Sequence, residues 1–130
     1  MKKQSGSSSG SSSQLQLAIE HHKAGRLQQA EAIYKKMSGS PDALHLLGVI
    51  AYQNGKFEAA IGSIKSAIRM HPANAIYHYN LGLCYRAQGQ NTEAAASYRK
   101  AIGLQHDYVD ALNNLGVVLD DQAKFDEAEA

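Results

Sequence analysis

A chain of 130 residues, 44% hydrophobic and 19% charged, is long enough for one domain with a sizeable core. Thirteen Lys and Arg stand against twelve Asp and Glu, a formal net charge of +1 with both signs scattered, which argues against a nucleic-acid or anionic-membrane surface because such binding rests on clustered cations. A single cysteine, Cys84, excludes an intramolecular disulfide and a thiol-paired zinc or redox site, and no apolar run reaches membrane-spanning length.

Residues 1–13, MKKQSGSSSGSSS, hold no aromatic or aliphatic side chain beyond Met1 and cannot bury enough surface to offset the entropy of ordering. They read as a flexible tail or linker, and Ser and Gly stand where a secretory signal would need an apolar stretch. A cytoplasmic setting is therefore expected. From Gln14 on, Leu15, Leu17, Ala18, Ile19, Leu27, Ala30, Ile33 and Tyr34 suit two short amphipathic helices, with Gly25 between them and the second ending near Met37.

Pro41 then opens a helix expected over 41–54, since a first-turn proline lacks only an N–H that has no partner there. Gly55 ends that helix, and a second runs over 57–70 until Pro72 stops it. Two more helices are placed near 75–88 and 91–104, with Gly89 at their turn. The final unit begins at Val109, is expected to turn near Ala123-Lys124, and stops in mid-helix at Ala130.

These units repeat. Leu47-Gly48 returns as Leu81-Gly82 and as Leu115-Gly116, at a fixed period of 34 residues, the signature of a stacked-repeat protein. The first unit is four residues short, with the shortfall at Ser38-Gly39-Ser40. Gly48, Gly82 and Gly116 each cost a helix about 1 kcal/mol relative to Ala, which calls for a packing reason. The expectation is a close helix crossing there, with Ala60, Ala94 and Ala128 as the facing small residues. Ala67 and Ala101 would open the second helix to the following repeat, and Ile50, Cys84 and Val118 would fill the core beside the Leu-Gly pairs.

The spacing resembles the tetratricopeptide repeat, W-x2-L-G-x2-Y, then A-x3-F, then P. Residues 41–74 supply Leu44, Leu47, Gly48, Ala51, Ala60, Ile64 and Pro72 at those places. Residues 75–108 supply His78, Leu81, Gly82, Tyr85, Ala94, Tyr98 and His106, and the last unit supplies Leu112, Leu115, Gly116, Leu119 and Ala128. His78 replaces a large apolar residue and His106 replaces the terminating proline. The resemblance implies an all-α, right-handed solenoid of antiparallel helix pairs, about three and a half repeats long. It also implies a protein-interaction module with the first helix of each pair, helix A, lining a groove.

On that resemblance, helical phase nominates His45, Leu46, Val49, Tyr52 and Gln53, then Tyr79, Asn80, Leu83 and Arg86, then Asn113, Asn114, Val117 and Asp120 as partner contacts. The partner class is a protein or extended peptide. Asn80 and Asn114 share one repeat position and are similar to the asparagine ladder of O-linked N-acetylglucosamine transferase-type arrays, although Leu46 takes the third rung. A different subgroup clamps C-terminal carboxylates with Lys, Arg and Asn. At those places this chain offers His45, Val49, Asn80, Asp110 and Asn114, so no binding of acidic C-terminal peptides is expected.

No catalytic constellation, P-loop or dinucleotide fingerprint is present, and no cofactor is called for. His21 and His22 are adjacent and the other histidines lack i, i+4 ligand spacing, which speaks against a metal. An alternative reading makes the chain the repeat part of a larger glycosyltransferase-like enzyme. Another expects self-association through Leu115, Val118, Leu119 and Phe125, because repeat arrays need polar caps for solubility.

Overall fold

The computed structural model describes residues 2–129, with side chains from Ser12 to Glu127. Seven helices follow one another: α1 (Lys2–Lys23), α2 (Leu27–Lys35), α3 (Pro41–Gln53), α4 (Phe57–Met70), α5 (Ala75–Ala87), α6 (Asn91–Leu104) and α7 (Val109–Glu129). Each packs mainly on its neighbours in the chain, and α3 also touches α5. The result is a row of helix pairs, α1/α2, α3/α4 and α5/α6, closed by α7.

Local chemistry sets the helix ends. Ser40 Oγ accepts the Ala43 N–H at 3.2 Å ahead of Pro41, and Asn74 Oδ1 accepts the N–H groups of Ile76 and Tyr77 at 3.0 and 3.3 Å. Both side chains satisfy donors that a helix start leaves open. Gly25, Gly55 and Gly89 take φ of +83°, +78° and +75° between the helices of a pair, the left-handed conformation that glycine adopts without steric cost. Leu104 ends α6 even though His106 stands in place of proline, because Gln105 is already extended.

One expectation is corrected. No turn occurs near Ala123-Lys124, and α7 continues as one helix of 21 residues. The position 34 residues after Gly89 holds Ala123, which favours helix and disfavours the left-handed turn. Ala128 and Ala130 lie outside the residues whose side chains are described. At the other end the bounds of α1, Lys2–Lys23, take in the Ser/Gly segment. Ser12, Ser13 and Gln14 are exposed along it.

The core is three clusters strung between the pairs. Ala18, Ala30, Tyr34, Ala43 and Ile50 form the first, and Ala60, Ile64, Ala67, Tyr77, Leu81 and Cys84 the second. Ala94, Ala95, Tyr98 and Val118 form the third. The helix crossing is tight at the glycines, but its closest neighbours lie one turn beyond the alanines that spacing nominated. A Cβ on Gly48 would stand 2.6 Å from Ile64 Cγ1 and 3.1 Å from the Ala60 carbonyl oxygen, and one on Gly82 would stand 2.5 Å from the Tyr98 ring. Among the described residues nothing lies within 4 Å of a Cβ on Gly116, and none of their helices crosses α7 there.

Candidate functional site

Stacking of the pairs brings α1, α3, α5 and α7 side by side, so their outward rows form one continuous face. Val49, Tyr52 and Gln53 from α3 meet Asn80, Leu83 and Cys84 from α5 around a cavity of about 160 Å³, with Ile64 of α4 beneath. Five of the nominated residues therefore come together. Cys84 sits at the wall with 1% exposure, and burial pushes its thiol up to about 11. It is an inert apolar lining at neutral pH, since the thiolate is the reactive form.

A second hollow spans three first helices of their pairs, from Leu15 and Ile19 of α1, through His45 and Leu46 of α3, to Ile76 and Tyr77 of α5. His45 is largely enclosed. It is only 7% exposed, lies against the Tyr77 ring at a centroid distance of 4.7 Å, and receives the Asn80 amide on Nε2 at 2.6 Å. Burial pulls its pKa down to about 4, and the nearby Asp42 carboxylate offsets only part of this. The ring is therefore neutral, with its proton on Nδ1, and acts as a packing residue that positions Asn80.

The two ladder asparagines are unequal. Asn80 engages its amide nitrogen with His45, and among the described residues its Oδ1 has no protein donor. Asn114 is consumed: its Oδ1 accepts Arg86 Nη1 at 2.5 Å, while its Nδ2 donates to the Asp110 carbonyl at 2.9 Å and to the Tyr79 hydroxyl at 3.1 Å. Tyr79 is in turn packed between Tyr98 and Tyr108, at centroid distances of 5.8 and 5.0 Å. Arg86, Asn114 and Tyr79 thus bind α7 to α5. Asn113, Val117 and Asp120 are exposed on α7, and Asp120 pairs with Lys124 at 3.2 Å, an exposed i, i+4 contact worth little.

Spacing missed several participants. Tyr77 donates its hydroxyl to the Asp42 carboxylate, and burial together with that bond raises the phenol well above its ordinary range. His22 donates from Nε2 to Gln53 Oε1 at 2.9 Å, tying α1 to the rim of the first cavity. His78, expected as packing, is buried and donates to the Pro72 carbonyl at 2.9 Å. Tyr98 is fully buried with no partner for its hydroxyl among the described residues, a cost of about 1–3 kcal/mol, and burial pushes it up to about 12. Of the four residues named for self-association, Val118 is buried and Leu115 half-buried against α6, which leaves Leu119 and Phe125 exposed.

Serial helix pairs with a shared lateral face define an α-solenoid of the interaction-module class. Sequence profiles of the tetratricopeptide repeat match residues 45–108, 87–130 and 11–35, and the chain belongs to that family. A Caenorhabditis elegans protein O-mannosyl-transferase is 31% identical over 91 residues, 68% of this chain and 13% of the relative. A Petunia hybrida SPINDLY protein, described as a probable UDP-N-acetylglucosamine–peptide N-acetylglucosaminyltransferase, is 33% identical over 89 residues, 68% of this chain and 10% of its own length. The chain thus spans about a tenth of these curated relatives, which share the weaker similarity to transferase repeat arrays.

Among solved structures, MamA superposes with a TM-score of 0.82 at 25% identity, over 91% of this chain and 71% of MamA. The first tetratricopeptide domain of Spaghetti (RPAP3), bound to an HSP90 peptide, superposes with a TM-score of 0.83 over 87% and 93%. At 17% identity that likeness is one of fold. No described helix is long and apolar enough to cross a membrane.

Proposed function

We propose that the chain binds an extended protein segment along the face made by α1, α3, α5 and α7. The observation that carries this reading is the convergence of Val49, Tyr52, Gln53, Asn80 and Leu83 on one cavity between adjacent repeats. Aromatic and aliphatic area there meets amide groups with spare hydrogen-bonding capacity, which suits a peptide backbone whatever its sequence. The peptide-bound solenoid of the same architecture is consistent with it. Membership of a larger glycosyltransferase-like protein remains the alternative for the whole polypeptide, supported by the two transferase relatives.

The test compares capture of binding proteins by the wild-type chain and by a Tyr52→Ala, Asn80→Ala double variant. Tyr79 and Asn114 are left intact because they hold α7 in place. Binders of this face should be lost by tenfold or more, and retention of every binder would move the site elsewhere. As a second arm, a peptide ending in Glu-Glu-Val-Asp should show no micromolar binding, since the clamp positions hold His45, Val49, Asn80, Asp110 and Asn114, and Arg86 is already engaged by Asn114.

A second reading, self-association, is favoured by the exposed apolar side chains Leu112, Leu119 and Phe125 on α7. Such exposed apolar side chains are available to a second copy of the chain. Light scattering on the 130-residue chain should show concentration-dependent dimers or larger species, reduced by Leu119→Lys with Phe125→Lys. A monodisperse monomer at millimolar concentration rejects this reading.

A further inference from the structure

The cavity between α3 and α5 arises from one difference between otherwise corresponding repeats. Ile64 lies beneath it, with Cys84 and Val49 on its walls. One repeat further on, the same three places are held by Tyr98, Val118 and Leu83, which pack together around the tyrosine. There the Tyr98 ring crosses Gly82 and reaches Tyr79, whose hydroxyl accepts from the same Asn114 that bonds Arg86. The space that a tyrosine ring occupies at the second junction is left open at the first because isoleucine is smaller and Tyr52 replaces Arg86.

The opening has a definite chemistry. Its volume, about 160 Å³, compares with the roughly 150 Å³ of a cavity that admits a benzene-sized group. Its depth is lined by Val49, Ile64, Leu83 and Cys84, and its rim by Tyr52, Gln53 and Asn80. None of these side chains is charged, so charge complementarity favours a neutral occupant, and an ionised one would lose its solvation without gaining a partner. Asn80 presents a free Oδ1 at the rim while His45 fixes its amide nitrogen, which places an acceptor for a backbone N–H beside an apolar hole.

We propose that this cavity is an anchor pocket for one branched aliphatic side chain, of leucine or isoleucine size, from an extended partner segment whose backbone N–H donates to Asn80. The pocket rests on the reading of this face as a peptide groove and adds its specificity: an uncharged aliphatic anchor, independent of a terminal carboxylate. The equivalent place above Tyr98 contributes no such pocket.

The test titrates N-acetyl-leucine N-methylamide into the isotope-labelled chain and follows backbone amide shifts. Saturable shifts centred on Val49, Leu83 and Cys84 are expected. The glycine derivative, which keeps the backbone but lacks the anchor, and the aspartate derivative should each bind at least tenfold more weakly. Ile64→Tyr should reproduce the filled junction and reduce leucine binding at least tenfold while helix content is retained. If that variant does not fold, Val49→Phe, which fills the cavity from its α3 wall, gives the same reading.

Equal shifts with the leucine and glycine derivatives, or undiminished binding in the filled variant, overturn the pocket. Longer peptides that bind the face but tolerate the filled cavity overturn the pocket and leave the groove standing. Leucine binding at the cavity together with peptides that ignore Tyr52 and Asn80 keeps the aliphatic specificity of the cavity but overturns both the groove and the Asn80 hydrogen bond.

Discussion

Gly82→Ala is expected to destabilise the chain by about 1–3 kcal/mol, whereas Gly116→Ala is expected to stabilise it by about 1 kcal/mol. The two glycines occupy the same repeat position in α5 and α7, and only their surroundings differ. A methyl group on Gly82 would meet three ring carbons of Tyr98 at 2.5 to 3.0 Å, well inside contact distance. That ring is fully buried and lies against Tyr79, so it cannot swing aside, and overpacking outweighs the gain in helix propensity. At Gly116 none of the described residues lies within 4 Å, and the propensity gain stands alone. Gly48→Ala should be destabilising too, because Ile64 Cγ1 at 2.6 Å is backed by the Ala60 carbonyl at 3.1 Å. Urea unfolding followed by helical circular dichroism measures all three. Shifts of the same sign for Gly82→Ala and Gly116→Ala would remove the helix crossing as the reason for the repeated glycine.

That contrast also marks what was legible in the sequence. Pro41, Gly55, Pro72 and Gly89 punctuate the chain by backbone chemistry alone, and α3 to α6 begin and end within a residue of where they predict. The same logic, applied to a period instead of to a residue, failed at Ala123: a turn was expected where the repeat demanded one, although the residue there favours a continuous helix. On the proposed binding face, helical phase was sufficient to gather Val49, Tyr52, Gln53, Asn80 and Leu83 around one cavity. It did not show that His45 is buried or that Tyr79 is half-buried among its neighbours, because both depend on the next repeat packing against them. Hydrogen bonds between repeats, such as His45 to Asn80 and Arg86 to Asn114, depend on that stacking and leave no mark in local periodicity. The Ile64/Tyr98 difference was visible in the aligned repeats, yet its meaning as open or filled space requires the neighbouring helix.

Acidification should destabilise the chain through His45. Burial holds its folded-state pKa at about 4, below the ordinary value of 6.5. Above pH 6.5 both folded and unfolded chains carry a neutral imidazole, and the residue makes stability independent of pH there. As pH falls from 6.5 towards 4, the unfolded chain takes up a proton that the folded chain does not, so the unfolded state is progressively favoured. The full loss is about 3 kcal/mol, at 1.36 kcal/mol per pKa unit, and it levels off once the folded state also protonates. The groups facing the ring explain the sign. Tyr77 covers one side of it, and Asn80 directs a donor at Nε2, so a proton on that nitrogen would set donor against donor. Asp42 is close enough to raise the pKa, but its carboxylate already receives the Tyr77 hydroxyl. Urea unfolding of wild type and His45→Gln from pH 7.5 to 4 isolates the effect, because glutamine keeps an acceptor for Asn80 and cannot titrate. The difference between the two curves should be flat above pH 6.5 and grow against the wild type below it. A difference that stays constant down to pH 4 would mean that His45 is protonated as readily in the fold as in the unfolded chain, and that Asn80 is not positioned by a neutral ring.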